Sequence, residues 1–247
     1  MNETFASRAE QADAAPDSAA ARSRVLVWDA PVRVFHWLMV LSFAGAYLSA
    51  ESERWRVLHV TLGYTMAALV AFRIVWGLIG TRHARFSSFV RSPVAALRYL
   101  GGLWRGRPEH HTGHNPAGAL AIVALLVLTL LVAGSGWAVF GDVGGEWVAG
   151  LHESSAGLML GIVGLHIAAV ALSSWLHREN LVGAMISGRK SGRPQDGLRS
   201  AWRSVAALML VAVLGFWWLQ WQAAPGAGAR DAGAAQQQAA GRDHDDD

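Results

Sequence analysis

Apolar and polar stretches alternate along the chain on a scale far longer than a strand or a soluble helix. Five apolar runs approach or exceed the roughly 20 residues that a membrane-crossing helix needs. They cover residues 34–50, 57–79, 117–139, 148–176 and 205–221. The first is the shortest, and Trp28, Pro31 and Arg33 ahead of it are expected in the headgroup layer. The pattern predicts an all-α membrane protein, a four-helix transmembrane bundle followed by a fifth C-terminal transmembrane helix. Between the second and third runs, residues 92–104 (SPVAALRYLGGLW) read as a short amphipathic helix opened by Ser92 and Pro93. Its Leu97, Tyr99, Leu100 and Trp104 would dip into the membrane surface.

The ends look different. Residues 1–23 are polar and Ala-rich, contain acids and lack an apolar centre, so they predict a disordered tail rather than a signal peptide. Residues 223–247 are low in complexity and end in acids, and predict a second disordered tail. Its His244 is expected to be solvated.

Composition sharpens the membrane reading. Hydrophobic residues make up 53% of the chain against 16% charged, with a mean hydropathy of +0.27. Several of the 12 Trp border the apolar runs, as interface anchors do. Cysteine is absent, which excludes disulfides, iron–sulfur clusters on thiolates, thiolate haem and thioether-attached haem. A redox group would have to be held by other ligands, and there are 10 His. No run of basic residues interleaved with aromatics suggests nucleic acid as a partner.

Basic residues set the orientation. Arg22, Arg24 and Arg33 precede the first span. Arg82, Arg85, Arg91, Arg98, Arg105 and Arg107 fill the loop between the second and third. Arg178, Arg189, Lys190, Arg193, Arg199 and Arg203 follow the fourth. The alternate loops are neutral (ESERWR) or acidic (GDVGGEW). The N-terminus is therefore expected in the cytoplasm and the C-terminus, after five spans, outside.

His36, His59, His152 and His166 fall within spans, where an ionisable side chain is costly and is a functional candidate. His83, His110, His111, His114, His177 and His244 fall in loops or tails and need no special account. His152 and His166 are fourteen residues apart, almost four helical turns, so they share a face and stand roughly 21 Å apart along the axis. Helices two and four enter from outside, which sets His59 at the depth of His152. Helix one enters from inside, which sets His36 near His166. Depth alone sorts the four into two pairs, and an iron porphyrin with two axial imidazoles needs one pair. Two b haems are the expected cofactors. The bland alternative is that these histidines hydrogen-bond between helices or sit at interfaces. Zinc or copper fits less well, because the two pairs stand too far apart to converge on one ion.

Arg73 lies fourteen residues after His59, on the same face and at the depth of the inner pair. A haem propionate would be a bidentate partner for it, and the alternative is that it snorkels to the inner surface. Gly63, one turn after His59, would leave room for a flat macrocycle. Gly157, Gly161 and Gly164 read as a close helix-packing stripe instead.

VWDAPVRVFHW, LHVTLGY, FRIVWGLIGTRHARFSSFV, GHNPAGALAIVALL, LHESSAG and GLHIAAV, in that order, resemble the bacterial cytochrome b561 family. That family includes the b-type cytochrome subunit of membrane-bound nickel–iron hydrogenases. The likeness covers about residues 25–190. It implies four core helices, two b haems on bis-histidine ligands, and relay of electrons between a periplasmic redox protein and the quinone pool. By motif, the implied ligands are His36, His59, His152 and His166. The domain plan that follows is a di-haem cytochrome b domain over residues 24–190, then a linker and fifth helix over residues 191–222. The fifth span departs from the family's pattern.

Three functions are open to such a sequence. The first is an electron-transfer subunit of the inner membrane, in contact with lipid, quinone and a periplasmic partner such as a cytochrome c or a hydrogenase-like subunit. The second is a stand-alone quinone-linked oxidoreductase, such as a superoxide oxidase. Glu51, Glu53, Asp142 and Glu146 outweigh Arg54 and Arg56 on the outer side, which disfavours an anionic substrate and suits a basic donor. The third is a haem-free anchor or transport protein, which a visible spectrum of the purified protein in dithionite would separate from the first two.

Overall fold

The computed structural model describes residues 23–90, 93–105, 113 and 115–223. Most of both expected tails lies outside the described residues, as do Arg22, Arg91, Ser92, Arg107, His110, His111, His114 and His244. The order of elements is β1 (Ser23–Leu26), α1 (Ala30–Ser49), a 3-10 turn (Glu53–Trp55), α2 (Arg56–Ile79), α3 (Phe86–Phe89), α4 (Pro93–Trp104), α5 (Pro116–Phe140), α6 (Glu146–His177), α7 (Leu181–Ser187), β2 (Arg189–Gly192), a second 3-10 turn (Pro194–Asp196) and α8 (Arg203–Ala223). Among the described residues, α1, α2, α5, α6 and α8 are long and apolar enough to cross a membrane. The protein is an all-α membrane protein with five such helices.

Local signals set the helix ends. Asp29 caps α1, its Oδ1 accepting from Val32 N at 2.8 Å, with Pro31 in the first turn. Helix α1 therefore starts four residues before the apolar run, with Pro31 and Arg33 in its first turn. Asn115 and Pro116 open α5 in the same way, with Asn115 Oδ1 accepting from Gly118 N at 2.7 Å. Helix α4 forms where the amphipathic segment is expected and packs on α5. The side chains of Leu97, Tyr99, Leu100 and Trp104 are outside what is described.

Helix α1 packs on α2, α2 on α5 and α5 on α6. Their shared middle is an apolar layer of Met66, Leu128 and Met159, with Met39, Phe43 and Ile162 around it. Helix α8 lies on the other side, against α1 and α2, through Leu38, Leu69, Met209 and Val213. Trp217 Nε1 donates to Thr65 Oγ1 at 2.9 Å. Within a bilayer, one such interhelical bond contributes about 0.6 kcal/mol.

Gly157, Gly161 and Gly164 overturn the packing-stripe expectation. A Cβ at any of them would meet nothing within 4 Å. The reason is the direction in which α6 faces: it meets its neighbours through Met159 and Ile162, which turns the glycines outward.

A small cap closes the basic-loop end. Strands β1 and β2 pair antiparallel, Ser23 opposite Gly192 and Leu26 opposite Arg189. Gly188, at φ 80°, turns the chain from α7 into β2, and its carbonyl accepts from Val27 N and Trp28 N. A side chain there would press on the Trp28 carbonyl at 2.6 Å. The segment after β2 is bonded to the rest rather than loose. Leu198 N donates to Leu26 O at 2.7 Å, and Ala30 N donates to Ala201 O at 2.8 Å.

Candidate functional site

His59 stands in the first turn of α2 and His152 near the start of α6. Their ring centres are 6.1 Å apart and their planes cross at 78°. His59 Nδ1 is 2.8 Å from the Ala46 carbonyl on α1. His152 Nδ1 is 3.0 Å from the Val132 carbonyl on α5 and 3.3 Å from Ser135 Oγ. A carbonyl oxygen only accepts, so each neutral ring carries its proton on Nδ1 and leaves the Nε2 lone pair free. This is the tautomer in which a metal-ligating histidine is held by a second group. His59 and His152 are thus the residues that would hold an iron porphyrin at this end, through their Nε2 atoms.

Gly136, which the sequence reading missed, completes this site. The His152 ring lies over it so closely that a Cβ would sit 2.8 Å from Cε1. Its signal was available in the SGW run of the third span, but glycine is common in membrane helices and spacing gave it no distinction. Gly63 has nothing within 4 Å of where its Cβ would be. That open volume, one turn from His59, is what a flat ring would need.

At the other end, His36 and His166 come within electrostatic reach of each other. They lack the ring contact of the outer pair. His36 Nδ1 is buried with no hydrogen-bond partner, and its ring meets the Trp37 ring edge-on at 5.1 Å. Among the described residues His166 has no hydrogen-bond partner. A buried ring nitrogen without a partner is uncommon in a finished site, and a metal or cofactor here would relieve it.

Arg73 is 3% exposed and does not reach water. Its Nη2 donates to the Ala84 carbonyl at 3.1 Å, and its guanidinium lies 4.8 Å from the Phe86 ring centre. Nη1 is buried and unpartnered. Asp29, also missed from sequence as a site residue, is 1% exposed. Its Oδ2 accepts from Trp76 Nε1 at 3.0 Å and from Thr81 Oγ1 at 2.6 Å. The carboxylate is close enough to act electrostatically on Arg73. One cap residue thus ties the start of α1 to the end of α2, beside the only arginine of α2's interior.

The remaining described histidines have ordinary partners. His83 Nε2 bonds to the Asp196 carbonyl at 2.8 Å and His177 Nδ1 to the Ser173 carbonyl at 3.0 Å. Among the described residues no group of three or more His, Cys, Asp or Glu gathers to hold a metal ion. One ring pair with both Nδ1 atoms engaged, and a buried unpartnered nitrogen on His36, fit a haem better than a chelated ion.

The model of one family, prokaryotic cytochrome b561, matches residues 27–188. The chain belongs to that family. Similar proteins carry the name probable Ni/Fe-hydrogenase B-type cytochrome subunit. The one from Rhizobium leguminosarum bv. viciae is 24% identical, over 72% of this chain and 94% of its own. The one from Bradyrhizobium diazoefficiens is 26% identical, over 74% and 92%. The Escherichia coli hydrogenase 1 counterpart is 26% identical over 47% and 60%. No solved structure matches.

The cytochrome b561 match encloses His36, His59, His152, His166, Arg73, Asp29 and Gly136, and ends before β2 and α8. The protein is accordingly a multi-pass bacterial membrane cytochrome of b type, with haem b as its cofactor, and it works in electron transfer.

Proposed function

We propose that this cytochrome binds two b haems, one between His59 and His152 and one between His36 and His166, and relays electrons between a redox protein outside and quinone in the membrane. The observation that carries this reading is the His59–His152 pair. Its rings stand 6.1 Å apart, and both Nδ1 atoms are occupied by carbonyls. Bound haem b supplies reversible one-electron oxidation and reduction at its iron.

The protein's own groups do the rest. The Ala46 and Val132 carbonyls fix two imidazoles in the ligating tautomer and raise their basicity. Arg73 Nη1 is free to pair with a propionate on the inner side, where burial makes such a charge-assisted bond strong. His36 supplies an unsatisfied nitrogen at the same depth. The middle layer of Met39, Met66, Leu128 and Met159 excludes water between the two pairs.

The distribution of arginine supports an inner-membrane orientation with the N-terminus cytoplasmic and the C-terminus periplasmic. On the His59–His152 side Glu51, Glu53, Asp142, Glu146 and Glu153 are exposed. Arg56 pairs with Glu53 at 3.9 Å and Arg54 lies over Trp55, which leaves that surface acidic. Such a surface suits a basic soluble partner such as a cytochrome c. The names of the relatives support a hydrogenase-like subunit as another. Either way the chain is an electron-transfer subunit rather than a stand-alone catalyst.

The test is anaerobic mixing of the purified protein with a quinol, followed in the visible haem bands. Reduction by the quinol, slowed at least several-fold in His36→Ala and His166→Ala, is expected. Failure of quinol to reduce the wild-type protein would contradict the quinone link.

A further inference from the structure

Residues 199–204, which lead into α8, line a cavity of about 560 Å³ beside Leu26. It is an open groove at the surface rather than an enclosed pocket, and it lies outside the part of the chain that the family model matches. Its lining is basic and polar. Arg199, Arg203, Ser200 and Ser204 all face it. Among the described residues, neither arginine has an acidic partner within ion-pair distance. Arg203 is also close enough to Arg33 to repel it, and Arg33 Nε is buried without an acceptor. Arg33 has Asp29 as a counter-charge and donates to the Ile186 carbonyl. That leaves Arg199 and Arg203 as the two cations on the groove with no acid beside them, an arrangement that attracts an anion.

Two further observations say which kind of anion. The first is Trp202, which is left-handed at φ 52° and half exposed, its ring edge-on to Trp76 at 5.5 Å. A bulky residue in that backbone region is strained. Here that conformation sets an indole immediately before the first residue of α8, the end of a span where interfacial Trp is common. The second is the helix face beneath. Leu208 and Val211 follow Ser204 at intervals of four and three residues, so they continue the face that lines the cavity. They are 70% and 67% exposed. The cavity therefore opens onto an uncovered apolar stripe, which a free inorganic anion would not use and acyl chains would.

We propose that this cavity binds the phosphodiester head of an anionic phospholipid, with Arg199 and Arg203 on its oxygens and its acyl chains along Leu208 and Val211. The first-turn N–H groups of α8 add donors on the same side. The bound lipid would hold α8 at its entry point, next to the Ala201 carbonyl that accepts from Ala30 and the Asp29 cap of α1.

The test uses the full-length protein in neutral detergent, titrated with phosphatidylglycerol, with phosphatidylcholine of the same acyl chains, or with inorganic phosphate, and read by native mass spectrometry. One phosphatidylglycerol per chain is expected to bind on the order of tenfold more tightly than phosphatidylcholine, and phosphate is expected not to displace it. The paired substitution Arg199→Gln with Arg203→Gln should abolish the preference. Ser204→Asp is the second variant. An acid in the first turn suits the helix dipole and so preserves α8, yet it repels a phosphodiester, so the preference should again fall. Equal binding of the two lipids, displacement by phosphate, or a preference that survives in Ser204→Asp would each overturn the proposal.

Discussion

His59 and His152 face each other across α2 and α6 with their ring planes 78° apart, each turned by a backbone carbonyl on a different helix. Each ring's Nδ1–H donates to its carbonyl, and that bond favours the observed orientation. If both imidazoles keep this crossing when they hold a haem, the iron's two π-type d orbitals would be nearly equal in energy. The oxidised outer haem is therefore expected to give a strongly anisotropic low-spin EPR signal. Ser135→Ala removes one neighbour of His152 Nδ1 but leaves the Val132 bond, so the signal should persist. A near-axial or high-spin signal from this haem would contradict the ring geometry.

Gly136 limits the same site by size. The His152 ring is held by a carbonyl and cannot retreat from a Cβ 2.8 Å away. Overpacking of this kind costs about 1–3 kcal/mol. Gly136→Ala should weaken or displace the outer haem, visible as lost absorbance in the reduced-minus-oxidised spectrum. Gly63→Ala puts its methyl into the volume that a flat ring would fill, so it should lower haem content as well, without moving the His152 ring. Full haem retention in Gly63→Ala would show that the macrocycle does not use that volume.

Arg73 and Asp29 should move the inner haem's potential in opposite directions. Removing a nearby positive charge stabilises the oxidised, more positive haem, so Arg73→Leu lowers its potential. Removing a negative charge does the reverse, so Asp29→Asn raises it. For a one-electron couple, about 59 mV accompanies each tenfold change in equilibrium, and a partly buried charge contributes about 1–3 kcal/mol, so shifts of tens of millivolts or more are expected. The outer haem, roughly 21 Å away along the helix, should move much less. Redox titration of both variants checks the signs, and equal shifts in both haems would remove Arg73 from the inner site.

These sites were unequally legible in the sequence. The nearness of His59 to His152 followed from depth and helical period, because five spans and the arginine distribution fix how deep each residue lies. The long helices followed from hydropathy for the same reason. Asp29 was not legible, since its role depends on Trp76 and Thr81, which reach it only once α1 and α2 are packed. The β1–β2 pair was hidden as well. RKSG has no alternating apolar pattern, and its partner lies more than 160 residues earlier. Gly157, Gly161 and Gly164 misled because spacing reports that small residues share a face, not which way the helix turns it.

Two haems in two histidine pairs should be countable in the purified protein, and haem stoichiometry is the measurement that decides between two and fewer. A pyridine-haemochrome assay on purified protein is expected to give two haems b per chain. Alanine at His59 or His152 should leave the inner haem alone, and alanine at His36 or His166 should leave the outer one. One haem or none in the wild type would contradict the account, as would identical spectra from His36→Ala and His152→Ala.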